Sequence, residues 1–155
     1  MEINGIAHVQ LSVNDLERGM TFYEELLGFM GMTAVAKGAT GLYMVGGRTA
    51  VAISRASPEH LDCRFDQGRI GLHHVCFRAR SRDDVDALYA FLRERGVTIV
   101  RAPEPGPWAP GYYSVLFEDP EGIRLELNFV PGKGHLEDKG RLPYETMPGY
   151  GDASA

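Results

Sequence analysis

From residue 6 to residue 13 the chain alternates. Ala7, Val9, Leu11 and Val13 form one row, and Ile6, His8, Gln10 and Ser12 the other. A period of two is that of a half-buried strand. The period then lengthens: Leu16, Met20, Tyr23 and Leu27 recur at helical spacing. Asn14 or Asp15 is positioned to cap this helix, with Glu17 at capping-box distance from Asn14, and Gly28 offers a stop. Three shorter strands are predicted at 29–37, 41–45 and 49–53. The same order returns further along. A strand is predicted at 70–79, then a helix capped by Ser81 and Asp84, with Val85, Leu88, Phe91 and Leu92 on its apolar face and Gly96 at its end. Strands at 97–101, 112–118 and 123–130 complete the set.

His8 and His74 hold equivalent places in the two copies, 66 residues apart, and the expected helix stops Gly28 and Gly96 are 68 apart. Self-similarity of this kind implies a duplicated unit, here βαβββ. The expected organisation is one domain over 1–130, with modules at about 3–54 and 70–130 joined by a polar linker at 55–69. A Gly/Pro-rich tail follows at 131–155. The run Ala102–Gly111 carries four prolines. It is too proline-rich for helix or strand and is predicted to be a loop over a pocket.

Composition narrows the function classes. The chain has 155 residues, 44% of them hydrophobic, enough for a real core. No run of 18 apolar residues occurs, so no membrane span is expected. A net charge of -5 without a basic stripe argues against nucleic acid as a partner. Two cysteines, Cys63 and Cys76, and an N-terminal stretch unlike a signal peptide point to a cytoplasmic protein with free thiols.

Two imidazoles and a carboxylate are the candidate chemistry. His8, His74 and Glu126 each occupy the polar row of a predicted strand, Glu126 alternating with Leu125 and Leu127. Two His and one carboxylate with open positions suit Fe(II), and also Mn(II), Zn(II), Ni(II) or Co(II). His73 falls on the opposite row and is expected in the core. His60 and His135 lie in expected loops and receive no role.

Three stretches carry a family resemblance: Ile6-Ala-His8-Val with Phe22-Tyr23 and Leu27-Gly28-Phe29; Gly71-Leu-His-His74-Val; and Asp119-Pro-Glu-Gly-Ile-Arg-Leu-Glu126-Leu. Together they resemble the vicinal oxygen chelate superfamily of glyoxalases, extradiol dioxygenases, fosfomycin-resistance enzymes and bleomycin-binding proteins. The resemblance implies an α+β fold in which two tandem βαβββ modules form a curved mixed sheet around a metal-binding cup. It places His8, His74 and Glu126 as metal ligands. It also implies a small oxygenated substrate and a homodimer, with the cup either within one chain or shared between subunits.

Gln10, Cys76, Tyr112, Ser114, Arg124 and Asn128 are the candidate substrate-pocket residues, with Trp108 and Tyr113 either beside them or packed under the loop. The three-ligand count favours dioxygenase-like chemistry with Fe(II). The alternatives are a non-redox lyase, epimerase or thiol transferase of the glyoxalase or fosfomycin-resistance type, and a drug-binding protein without turnover. Residues that accompany the ligands in particular branches differ here. No acidic side chain stands on the strand 49–53, Leu116 replaces a tyrosine, and no histidine lies between His74 and His135.

Overall fold

The structure is a computed structural model that describes residues 1–61 and 63–134. The chain divides into two compact units, one of residues 1–66 with 119–123, the other of residues 67–118 with 124 onward. The tail expected over 131–155, and His135 with it, falls outside the described residues beyond position 134.

The first unit runs β1 (His8–Val13), α1 (Leu16–Phe29), β2 (Thr33–Gly38), β3 (Gly41–Gly46) and β4 (Thr49–Arg55). The sheet order is β1-β4-β3-β2, with β1 parallel to β4 and the rest antiparallel. Leu11 and Val13 are buried, whereas His8, Gln10 and Ser12 are exposed, as the alternation requires. The helix packs on β3 and β4, burying Tyr23, Leu26 and Leu27 with Met44, Val51 and Ile53.

The second unit repeats the plan: β5 (Val75–Arg78), α2 (Arg82–Glu94), β6 (Ile99–Pro105), β7 (Tyr113–Glu118) and β8 (Arg124–Phe129), in the order β5-β8-β7-β6. Val85, Leu88 and Leu92 of α2 are buried, as are Val115, Phe117 and Leu125 of the sheet. Ser81 and Asp84 form the expected capping box. Among the described residues no helix is long and apolar enough to cross a membrane.

Several expectations about local structure are corrected. Helix α1 runs through Gly28 to Phe29, and Gly31, at φ +83°, is the residue that ends it. The amide of Met32 bonds Leu27 O and that of Gly31 bonds Gly28 O, a Schellman motif. The second copy repeats it, with Val97 on Leu92 and Gly96 on Arg93. The true stops, Gly31 and Gly96, match the histidine spacing to within one residue. Asp15, not Asn14, caps α1. Asn14 instead donates to Cys63 O and Glu121 Oε2.

Strand β5 begins only at Val75, so His73 escapes the alternation that would have buried it and is exposed. Strand β6 runs on through Pro103 to Pro105, into the segment expected to be loop. It is an edge strand with two register shifts against β7, the setting in which a sheet tolerates proline.

Candidate functional site

In the second unit a row of registered residues crosses the sheet. Cys76 on β5 pairs with Glu126 on β8, Glu126 with Leu116 on β7, and Leu116 with Arg101 on β6. Paired residues share a face, so the alternation that buries Leu125 and Leu127 brings Glu126 among these side chains. The residue is almost wholly buried, at 5% exposure.

The two oxygens of Glu126 have different neighbours. Oε1 accepts from the Tyr112 hydroxyl at 2.8 Å and from Arg101 Nη2 at 3.1 Å. Oε2 faces His74 Nε2 at 3.2 Å. Burial alone would raise the pKa of this carboxyl, but the contact with His74 and the donors around it outweigh burial and bring the pKa down to about 2. Glu126 is therefore ionised at neutral pH.

His74 is half-buried, and its Nδ1 lies 2.7 Å from Nδ1 of His73. His73 accepts from His74 or donates to it according to tautomer, so the Nε2 of His74 is free to carry either a proton or a lone pair.

Other expected pocket residues have definite partners. Ser114, fully buried, accepts from Arg101 Nη2 at 3.0 Å. Loss of water around the Tyr112 hydroxyl, with its bond to the Glu126 carboxylate, drives its pKa upward, so it acts as a donor. Cys76 is exposed over the whole residue. Even so, desolvation of its thiol and then the negative charge of Glu126 push it up to about 12, which leaves it protonated and a poor nucleophile. Arg124 lies away from the carboxylate oxygens, with Nε 3.7 Å from Glu118 Oε1. Asn128 pairs with Ser114 in the register, and its carbonyl accepts from the Ala79 amide at 2.6 Å. Tyr113 donates to Asp86 at 2.8 Å on α2, and the Arg82 guanidinium stands 4.9 Å over its ring.

Residues His8 and Gln10 sit on β1 of the first unit, both exposed, and Gln10 donates to Ser54 Oγ at 3.1 Å. Among the described residues no group of three or more His, Cys, Asp or Glu side chains is gathered as an ion would require. His74 and Glu126 do come together, as a pair. An imidazole nitrogen and a carboxylate oxygen 3.2 Å apart fit two adjacent ligands of one ion, since donors about 2.1 Å from a metal and at right angles are about 3 Å apart. The donor set fits a divalent metal as far as the second unit extends.

The sequence reading missed Arg101. It stood at the end of a predicted strand, with its partner Glu126 25 positions away and no local pattern joining the two. Its signal was a charged residue directly before the proline-rich run.

Known proteins resemble this chain along most of its length. Residues 5–127 match the family model described as the Glyoxalase/Bleomycin resistance protein/Dioxygenase superfamily. The uncharacterized protein YqjT of Bacillus subtilis is 31% identical over 121 residues, covering 77% of this chain and 94% of its own. The glutathione transferase FosA of Serratia marcescens is 29% identical over 152 residues, covering 94% of each chain. A crystal structure from Bacillus halodurans designated a glyoxalase superposes with a TM-score of 0.74 at 30% identity, covering 82% of this chain and 96% of that one.

Proposed function

Because the chain belongs to the glyoxalase/bleomycin resistance protein/dioxygenase superfamily, we propose that it is a divalent-metal-dependent enzyme of the thiol-transferase or lyase type, acting on a small oxygenated molecule. The observation that carries this reading is Glu126: buried, ionised, held at Oε1 by two donors and turned at Oε2 toward His74. Outer partners of this kind are what orient a metal-binding carboxylate. His74 and Glu126 would hold the ion, and the resemblance adds His8 as a third ligand. A bound divalent ion would supply Lewis-acid polarisation of a substrate oxygen.

The chain's own residues set the rest. Tyr112 keeps its proton and serves as a donor to the carboxylate. The Cys76 thiol beside Glu126, also protonated, is unsuited to attack, which leaves the role of nucleophile at this pair to a co-substrate thiol. Support for thiol transfer over ring-opening oxygen chemistry comes from the glutathione transferase relative, aligned along almost all of both chains. The 75–134 stretch also lacks the histidine of the dioxygenase pattern, whereas the leucine at position 116 departs from the dioxygenase and fosfomycin-resistance patterns alike. A homodimer rests on the resemblance alone.

Elemental analysis of purified protein tests the reading, with His74→Ala and Glu126→Ala samples alongside. Near-stoichiometric divalent metal in the parent, lost from both folded variants, is expected. A parent protein that contains no metal and takes up none on reconstitution would refute it. A subsequent screen for addition of glutathione to small electrophiles, against oxygen uptake with vicinal diols, separates the two chemistries.

A further inference from the structure

Arg101 is fixed on several sides. Its Nη2 donates to both Ser114 Oγ and Glu126 Oε1, its Nε lies 3.5 Å from Glu104 Oε1, and its guanidinium stands 4.8 Å from the centre of the Trp108 ring. The Trp108 ring is itself braced against Tyr112, 5.1 Å between centroids. An added Cβ at Gly106 would overlap the Trp108 ring, so the glycine leaves the space in which the indole lies. A side chain bonded to a wholly buried serine and to the Glu126 carboxylate, at ion-pair distance from Glu104 and covered by an aromatic ring, is not a free anion receptor. It meets the candidate metal ligand Glu126 at Oε1.

We propose that Arg101 is a positioning residue for the metal, holding Oε1 of Glu126 so that Oε2 is the oxygen presented beside His74. This rests on the metal-site reading above. A cation so close to a metal site has two opposed effects. Its charge repels the incoming ion, whereas its hydrogen bond pre-orients the ligand. The hydrogen-bond geometry distinguishes them, because a planar guanidinium whose Nη2 donates to both Ser114 and Glu126 fixes an orientation that a flexible ammonium does not.

The test is calorimetric titration of Co(II) into metal-free parent, Arg101→Met and Arg101→Lys proteins. Each is checked for folding by thermal melting, and the visible spectrum of bound Co(II) is recorded. Positioning predicts that both variants bind more weakly, by roughly 10- to 100-fold, and that the bound-ion spectrum shifts. Unchanged or tighter binding by Arg101→Met would show that repulsion is its main effect and overturn the proposal. Parent-like affinity and spectrum in Arg101→Lys would show that charge suffices, and would also overturn it. If Arg101→Met fails to fold, the lysine variant decides alone. Failure of the parent itself to bind Co(II) removes the metal site together with this role, whereas failure confined to the variants' predicted behaviour leaves the site standing.

Discussion

The Tyr112 hydroxyl donates to Glu126 Oε1 across 2.8 Å, inside a unit where both residues are buried. The bond places a donor that keeps its proton against a carboxyl that has lost its own, and so favours the charged form of Glu126 in the folded chain. With His74 and Ser114 it makes Glu126 a stabilising group whose effect depends on pH.

That dependence has a definite sign. Folding lowers the pKa of Glu126 from an ordinary 4.5 to about 2, so its contribution is fully present above about pH 4.5 and is lost as pH falls toward 2. The contribution is on the order of 3 kcal/mol. Denaturant unfolding of the metal-free parent and Glu126→Gln at pH 7, 4 and 3 isolates it as a difference. Asp119, raised by burial, acts in the opposite sense and cancels from that difference. The stability gap is expected to narrow on acidification, and a gap constant across this range would contradict the assignment.

Tyr23 makes a second buried phenol–carboxylate contact, donating to Asp119 Oδ2 at 2.8 Å. The other oxygen of Asp119 accepts the amides of Glu121 and Ile123, shaping the turn between β7 and β8. The Asp-Pro-Glu-Gly turn is thus structural. Tyr23→Phe leaves Oδ2 without this donor in a buried setting and is expected to cost about 1–3 kcal/mol. Thermal melting of the variant measures this, and an unchanged midpoint would dismiss the contact as neutral.

Two neighbouring glycines should respond in opposite directions. Gly28 lies within α1, exposed, and an added Cβ meets nothing within 4 Å. Gly28→Ala is expected to stabilise the fold by about 0.5–1 kcal/mol through helix propensity. Gly31 has equal space but a φ of +83°, so Gly31→Ala is expected to cost about 1–2 kcal/mol. Paired melts decide the matter, and the reverse ranking would return the helix stop to Gly28.

Much of the architecture was legible because it is local. Alternation located β1 and β8, the Ser81–Asp84 spacing located the start of α2, and the duplicated order revealed two βαβββ units. The resemblance carried by His8, His74 and Glu126 identified the superfamily that the comparisons bear out. Errors arose where a local signal had two readings. Gly28 and Gly31 both offered a stop, and only the backbone hydrogen bonds of Gly31 and Met32 choose between them. The His73-His74 pair was assigned to a strand that begins one residue later, which reversed the setting of His73.

The candidate site divides along the same line. By itself the sequence determined which residue types could bind an ion and which row of each strand they occupy, because a period of two is a property of consecutive residues. Only the tertiary structure decided that Arg101 grips Glu126, and that Tyr112 rather than a residue at Leu116 supplies the hydroxyl. The register between β6 and β7 shifts twice around Arg101, and each shift changes which residues lie opposite one another. No pattern along one strand encodes such a shift, because it is set by how two strands pair across the sheet.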